Sequence, residues 1–365
     1  MDNVAVVPAL VVGLLANPLP ALAAETQQGA RPEMVTIVAP GQRVAFEMGS
    51  SAADLAGEPV FDHSDYYTDD EQPRHTVTIT VPYAIGRFEV TNQQYCDVMN
   101  GPLEKGHVVL AEGKLKTATG LTLLGIADFH DDPLLGLQLG IEAADGRLRP
   151  RSGMADHPVH AVSWYGAVVF SNALSDEAGL EPAYDLTIWE WDRSKNGYRL
   201  PTEAEWEHAA RGDKRTTYAW GNEISVLHTN YGPSHAVRPE GTISRPVGFF
   251  DGTEKEGQAT RNNASPLGIC DMTGNVWEWC WDWYGRRYFG VSPASDPAGP
   301  EKGDDRPPYH VNEPTRVWRG GGWLAPPGFA RVGKRWSAAP DTAVSETGFR
   351  VARSLLEFES DGAKP

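Results

Sequence analysis

Tryptophan occupies positions 277, 279, 281 and 283 in the run GNVWEWCWDWYG, with Glu278, Cys280 and Asp282 between them. Side chains two apart share a face only where the backbone is extended. The run therefore reads as a strand with its indoles on one side and its acids and thiol on the other. Side chains of that bulk need a partner layer, which makes the indole face core.

The rest of the chain is organised around turns. Gly, Pro, Asn and Asp recur every few residues from Gly212 to about residue 310, and the 365 residues include 38 Gly, 12 Trp and 12 Tyr. This composition predicts irregular segments pinned by aromatics rather than a helical bundle, and 41% hydrophobic residues suffice for a sizeable core. Thr202 stands three residues before Glu205, a capping box that starts EAEWEHAARG just after Pro201 and stops it at Gly212. Thr91-Asn92 can cap a short helix, NQQYCDVMN, and YGAVVFSNALSDEAG runs up to Gly179. MVTIV (34–38) and VAFEMGS (44–50) alternate around the turn at Pro40-Gly41 and read as a hairpin, and residues 75–90 alternate again. HPVHAVSW (157–164) reads as a strand, which puts His157 and His160 on opposite faces and makes them a weak metal motif.

A formal charge of −17 with a pI near 5.0 argues against nucleic acid and anionic membrane surfaces as partners, because neutralising phosphate takes clustered Lys and Arg. Residues 4–24 form an apolar stretch broken by Pro8, Pro18 and Pro20 and ending in Ala21-Leu22-Ala23. It reads as a secretory signal without the usual basic start; a buried N-terminal helix is the alternative. The expected organisation is a signal over 1–24, a linker over 25–33, one domain over 34–357 and a tail over 358–365, with export to the periplasm or the exterior. No other stretch is long and apolar enough to span a bilayer. Cys96, Cys270 and Cys280 make no disulfide framework; a Cys270–Cys280 bridge and three buried thiols are both open readings. Serine-hydrolase, Walker and Rossmann patterns are absent.

Three blocks stand in a fixed order: YRLPTEAEWEHAARG (198–212), GNVWEWCWDWYG (274–285) and RGGGW…GFR (319–350). With MGS, DEQPRH, EVTNQQY and HPVHAVSW they resemble the formylglycine-generating enzyme, or sulfatase-modifying factor, family over nearly the whole chain; residues 101–153 match poorly and read as an insertion. The resemblance implies an α+β fold, an irregular, loop-rich variant of the C-type lectin fold with small antiparallel sheets and a few helices. It also implies that a copper-binding cysteine pair would lie between RGG and GFR. That interval here, WLAPPGFARVGKRWSAAPDTAVSET, contains no cysteine. Cu(I) needs soft thiolate ligands, so no copper is expected.

Asn275 and Glu278 supply hard oxygen donors beside turn carbonyls, the ligand type calcium accepts; a turn residue and an ion-pair partner are the plainer readings of the same two. The resemblance implies structural calcium at Asn275 and Glu278. It implies a second calcium at Asn230 and the Tyr231 carbonyl, where the downstream segment VRPEGTISRPVG offers only Glu240 as a carboxylate. In the family, the block from Arg319 to Arg350 forms the substrate groove. Here Trp323, Phe329, Arg331, Arg335 and Trp336 give it aromatics and two cations that can bind an extended peptide, a glycan or a small carboxylate. Equally, Trp323 is core and the arginines pair with interior acids such as Glu203, Glu205 and Glu207. Two functions stay open: an exported, calcium-stabilised domain that binds a ligand in this groove, and an oxidoreductase acting on a peptide or peptide-derived substrate without the cysteines. A third reading makes the domain an envelope component whose groove is filled by its own insertion.

Overall fold

The computed structural model describes residues 31–56, 69–126, 139–236, 243–304 and 313–356. The expected signal, most of the linker, the tail, Glu240 and the middle of the insertion lie outside them.

Three helices form where local signals place them: α1 over Asn92–Glu104, α2 over Trp164–Glu177 and α3 over Glu203–Arg211. α1 and α3 each open on a capping box. Thr91 and Thr202 accept the N–H of Gln94 and Glu205, whose side chains accept the cap N–H in return. α1 continues past the expected Asn100 and through Pro102; in a last turn, proline forfeits a single backbone bond. Ser163 caps α2, and Gly179 at φ 68° leaves it.

The strand Trp277–Trp283 stands at the centre. Arg316–Arg319 pairs antiparallel on one side and Thr347–Gly348 parallel on the other, with Trp336–Ala338 beyond Arg316–Arg319. Trp277 and Trp279 enter a core shared with α1 and α2, while Cys280 enters a second core under α3. The expectation of one core face is therefore too narrow. Glu278 and Asp282 are 0% and 1% exposed, so both faces are interior; on the second, Arg350 reaches in to meet Glu278 and the Glu203 N–H of α3 donates to Asp282 at 2.8 Å.

The expected hairpin of 34–38 with 44–50 does not form. Met34–Val38 pairs with Tyr83–Gly86, in a sheet completed by Ala352–Ser354 and Tyr198–Arg199, whereas Val44–Met48 pairs with His75–Ile79. Alternation fixes which face of a strand is buried, not which strand lies beside it.

The insertion is part of the core. Val108–Ala111, Lys114–Thr117 and Thr122–Gly125 form a three-stranded sheet and Ile141–Ala144 pairs with Arg147–Pro150. Leu115, Leu123, Leu124, Ile141 and Leu148 pack with residues of α1 and α2. Residues 157–162 make only isolated bridges, with Ala161 at φ 60°, so the strand expected there is absent. His157 Nδ1 lies 2.9 Å from Ser244 Oγ. Cys96, Cys270 and Cys280 are buried free thiols, and the Cys270–Cys280 bridge is not made. Among the described residues no helix is long and apolar enough to cross a membrane.

Candidate functional site

The segment from Arg319 to Trp336 leaves the central sheet at Gly320 and returns to it at Trp336. Below it, α3 offers two acids one turn apart. Glu203 receives Arg335 at both oxygens, at 2.7 and 2.8 Å, and Arg319 at 3.2 Å. Glu207 receives Arg319 at 2.6 Å, Arg211 at 3.0 Å and the Gly49 N–H at 2.9 Å. Burial pushes the Glu207 carboxyl up, but Arg211 and Arg319 outweigh it and hold the group below its ordinary range. Arg331 forks onto Glu71 at 2.7 and 2.8 Å. Arg335 also lies over the Phe289 ring at 4.2 Å.

Arg331 and Arg335 are 6% and 1% exposed, so these two expected groove cations point inward. Their guanidinium forks are spent on carboxylates that hold the segment down. Trp323 is 2% exposed and donates its indole N–H to the Ser345 carbonyl at 3.1 Å.

What remains on the outer side is apolar. Leu324 is 48% exposed, and Pro326, Pro327, Phe329 and Trp336 are partly exposed. Phe329 and Trp336 meet at 4.8 Å between ring centroids, and Trp336 stacks on the buried Trp277 at 6.0 Å. Gly321, at φ 79°, brings the backbone against Ala330, where a Cβ would lie 2.9 Å from its Cα. Lys334 is buried behind the rings, its ammonium 3.9 Å from Asp70. Burial lowers its pKa, while Asp70 and Glu71 pull it back up. Of the expected groove residues, the structure thus brings Phe329 and Trp336 to the surface together. Leu324 and the two prolines escaped the sequence reading; their signal was proximity to the RGG and GFR blocks alone.

Asn275 and Glu278 do not converge on an open position. Both Glu278 oxygens receive Arg350, at 2.6 Å each, and Oε2 also receives the Trp206 indole N–H at 2.8 Å. Asn275 Oδ1 accepts the Arg245 N–H at 3.0 Å and Asn230 Nδ2 at 3.3 Å, while its own Nδ2 donates to Glu89 at 3.1 Å. The Asn230 carbonyl accepts the Asn275 N–H at 2.7 Å, and the Tyr231 carbonyl accepts the Ser234 N–H at 2.8 Å. Calcium needs six to eight oxygens turned toward it. As placed, these oxygens face N–H donors and do not fit the ion. The excess negative charge around Arg350 is met differently. Burial raises the Glu89 and Asp271 carboxyls, and each neighbouring acid raises them further.

Known proteins match this architecture along its length. The chain is 32% identical to the formylglycine-generating enzyme of Streptomyces coelicolor over 356 residues, covering 93% of this chain and 96% of the relative. It is also 32% identical to that of Thermomonospora curvata over 309 residues, covering 79% and 87%. Among solved structures, PvdO of Pseudomonas aeruginosa superposes with a TM-score of 0.56 at 26% identity, over 90% of this chain and 96% of its own. Variable protein 1 of Treponema denticola superposes with a TM-score of 0.56 at 25% identity, over 88% and 94%. The expected α+β, loop-rich, C-type-lectin-like fold is the one found. The sulfatase-modifying factor enzyme 1-like domain matches residues 20–355, and the chain belongs to that family.

Proposed function

We propose that this chain is an exported ligand-binding member of the family that holds an extended peptide against the shelf of Leu324, Pro326, Pro327, Phe329 and Trp336. The direction of the arginines carries the reading. With Arg319, Arg331 and Arg335 committed to Glu203, Glu207 and Glu71, the segment has a rigid base and an apolar, aromatic outer face. Such a face binds an extended chain by stacking and excludes water from its backbone bonds. Export rests on the apolar residues 4–24, and the N-terminal sequence of protein from its natural compartment tests it. The groove is tested by passing a pool of random short peptides over immobilised wild type, Phe329→Ala and Leu324→Asp. Wild type is expected to retain a subset about tenfold better than either variant, the scale of one aromatic hot spot. Equal retention by all three sinks the reading.

The relatives' name, formylglycine-generating enzyme, favours a second reading in which the chain oxidises a peptide. Against it stand the cysteine-free interval from Arg319 to Arg350 and the state of the thiols. Burial pushes Cys96 up to about 12 and Cys270 up to about 11, and raises Cys280 as well, so none supplies a thiolate at neutral pH. Stoichiometric copper or iron in protein dialysed against metal-free buffer would favour the oxidative reading over the binding one.

A further inference from the structure

A second concave site shares no residue with the shelf. α2, the insertion and the hairpin of Tyr184–Asp185 with Glu190–Trp191 enclose a cavity of about 330 Å³, at the small end of the range that holds an organic ligand. Val169 and Ala173 of α2 form one wall. Val108 and Thr117, opposed across the insertion's sheet, form a second, and Leu186 and Trp189 of the hairpin loop a third. These walls are fixed by contacts of their own. Asn172 clamps the hairpin onto α2 by accepting the Tyr184 N–H at 3.1 Å and donating to the Tyr184 carbonyl at 2.7 Å. Trp189 meets Tyr165 edge to face at 4.6 Å between ring centroids. Leu186 is 39% exposed, so an apolar part of the lining faces water.

The charge on the lining is one-sided. Asp176, in the last turn of α2, is exposed and makes no ion pair or side-chain hydrogen bond among the described residues. No basic residue stands in that turn, so the negative end of the helix dipole adds to the carboxylate. The nearby cations serve its neighbour. Arg31 donates to the Glu177 carbonyl at 2.7 Å, Lys105 favours the charged Glu177 carboxyl, and neither lines the cavity. His107, the basic side chain on the lining, forms no ion pair with Asp176.

Apolar walls with one unneutralised acid among them select a cation that carries its own apolar body. We propose that this cavity takes a small organic amine, its ammonium paired with Asp176 and its body against Val169, Ala173, Leu186 and Trp189. Walls on three sides suit a whole small molecule rather than an extended chain. The net charge of −17 draws cations toward the surface and acts in the same direction. The site stands whether or not the shelf binds a peptide.

The test is isothermal titration calorimetry on the full-length chain at low salt and at pH 8, where an ordinary imidazole is neutral. Three probes of matched size are used: 4-phenylbutylamine, 4-phenylbutanol and 4-phenylbutyrate. Wild type is expected to bind the amine about fivefold more tightly than the alcohol, with the acid weakest, the scale of a partly exposed ion pair at a helix end. Asp176→Asn is expected to bring the amine to the affinity of the alcohol, with a Tm no lower than that of wild type. Leu186→Ser is expected to weaken all three probes about threefold through lost apolar contact. Equal affinity of wild type for amine and alcohol overturns the selection for a cation. An amine preference that survives in D176N overturns the assignment to Asp176. Undiminished binding by L186S, or binding of no probe by wild type, overturns the cavity as a ligand site.

Discussion

Arg350 grips Glu278 through two hydrogen bonds of 2.6 Å, and both side chains are 0% exposed. Trp206 of α3 completes the acid's contacts, so the central strand, the third helix and the C-terminal GFR block meet at one carboxylate. Removing one partner of such a pair leaves the other charged and buried, which costs about 3–5 kcal/mol. Arg350→Leu is expected to lose stability on that scale in urea denaturation, and the double variant Glu278→Gln/Arg350→Leu to recover part of it. A double variant no more stable than R350L would show that the pair does not hold the strand in place.

That pairing also bears on metal dependence. A calcium site filled at a hundred times its Kd would add about 2.7 kcal/mol of stability. With Glu278 and Asn275 turned to N–H donors, Tm is expected to agree in calcium and in EDTA within about 1 °C. A clear rise with calcium would mean that these side chains reorient around the ion.

Acid sensitivity follows from the imidazoles. Burial lowers His157 to about 4, His160 to about 3 and His208 to about 4. Between pH 6.5 and about 4 the unfolded chain takes up protons on these rings that the folded chain refuses, so stability falls as pH falls through that window. Each ring accounts for about 2 kcal/mol at pH 5. The Glu89 and Asp271 carboxyls, raised by burial, run the other way and lose stability as pH rises, so the informative quantity is a difference between proteins. His160 has no hydrogen-bond partner on either ring nitrogen among the described residues. His160→Leu is expected to narrow the Tm drop between pH 7 and pH 5. An identical drop in both proteins would mean that His160 takes up its proton while folded.

Arg335→Lys tests the base of the shelf. Lysine keeps the charge but cannot reproduce the fork onto both Glu203 oxygens or the flat contact over Phe289. A loss of about 2–3 kcal/mol is expected, the scale of hydrogen bonds to a charged group. Wild-type stability in R335K would show that charge alone anchors the segment.

Much of this fold is legible because its signals are local. The box at Thr202 and the cap at Thr91-Asn92 declare two helices, and period-two tryptophans declare the central strand. The hairpin failed because strand partners are chosen across the fold: Met34–Val38 shares its sheet with Ala352–Ser354. The groove was half legible for a similar reason. Block order located the segment, but the direction of Arg331 depends on Glu71, 260 residues earlier, and spacing along the segment carries no information about that acid.

The inward arginines also separate two demands on one stretch of chain. The residues that keep the segment in place are Arg319, Arg331 and Arg335, and those left on its outer face are Leu324, Pro326, Pro327, Phe329 and Trp336. Because the sets hardly overlap, the second can be rewritten while the first stays constant. Substitutions there leave the buried anchors alone, so the outer face can change its chemistry without reopening the problem of how to fold.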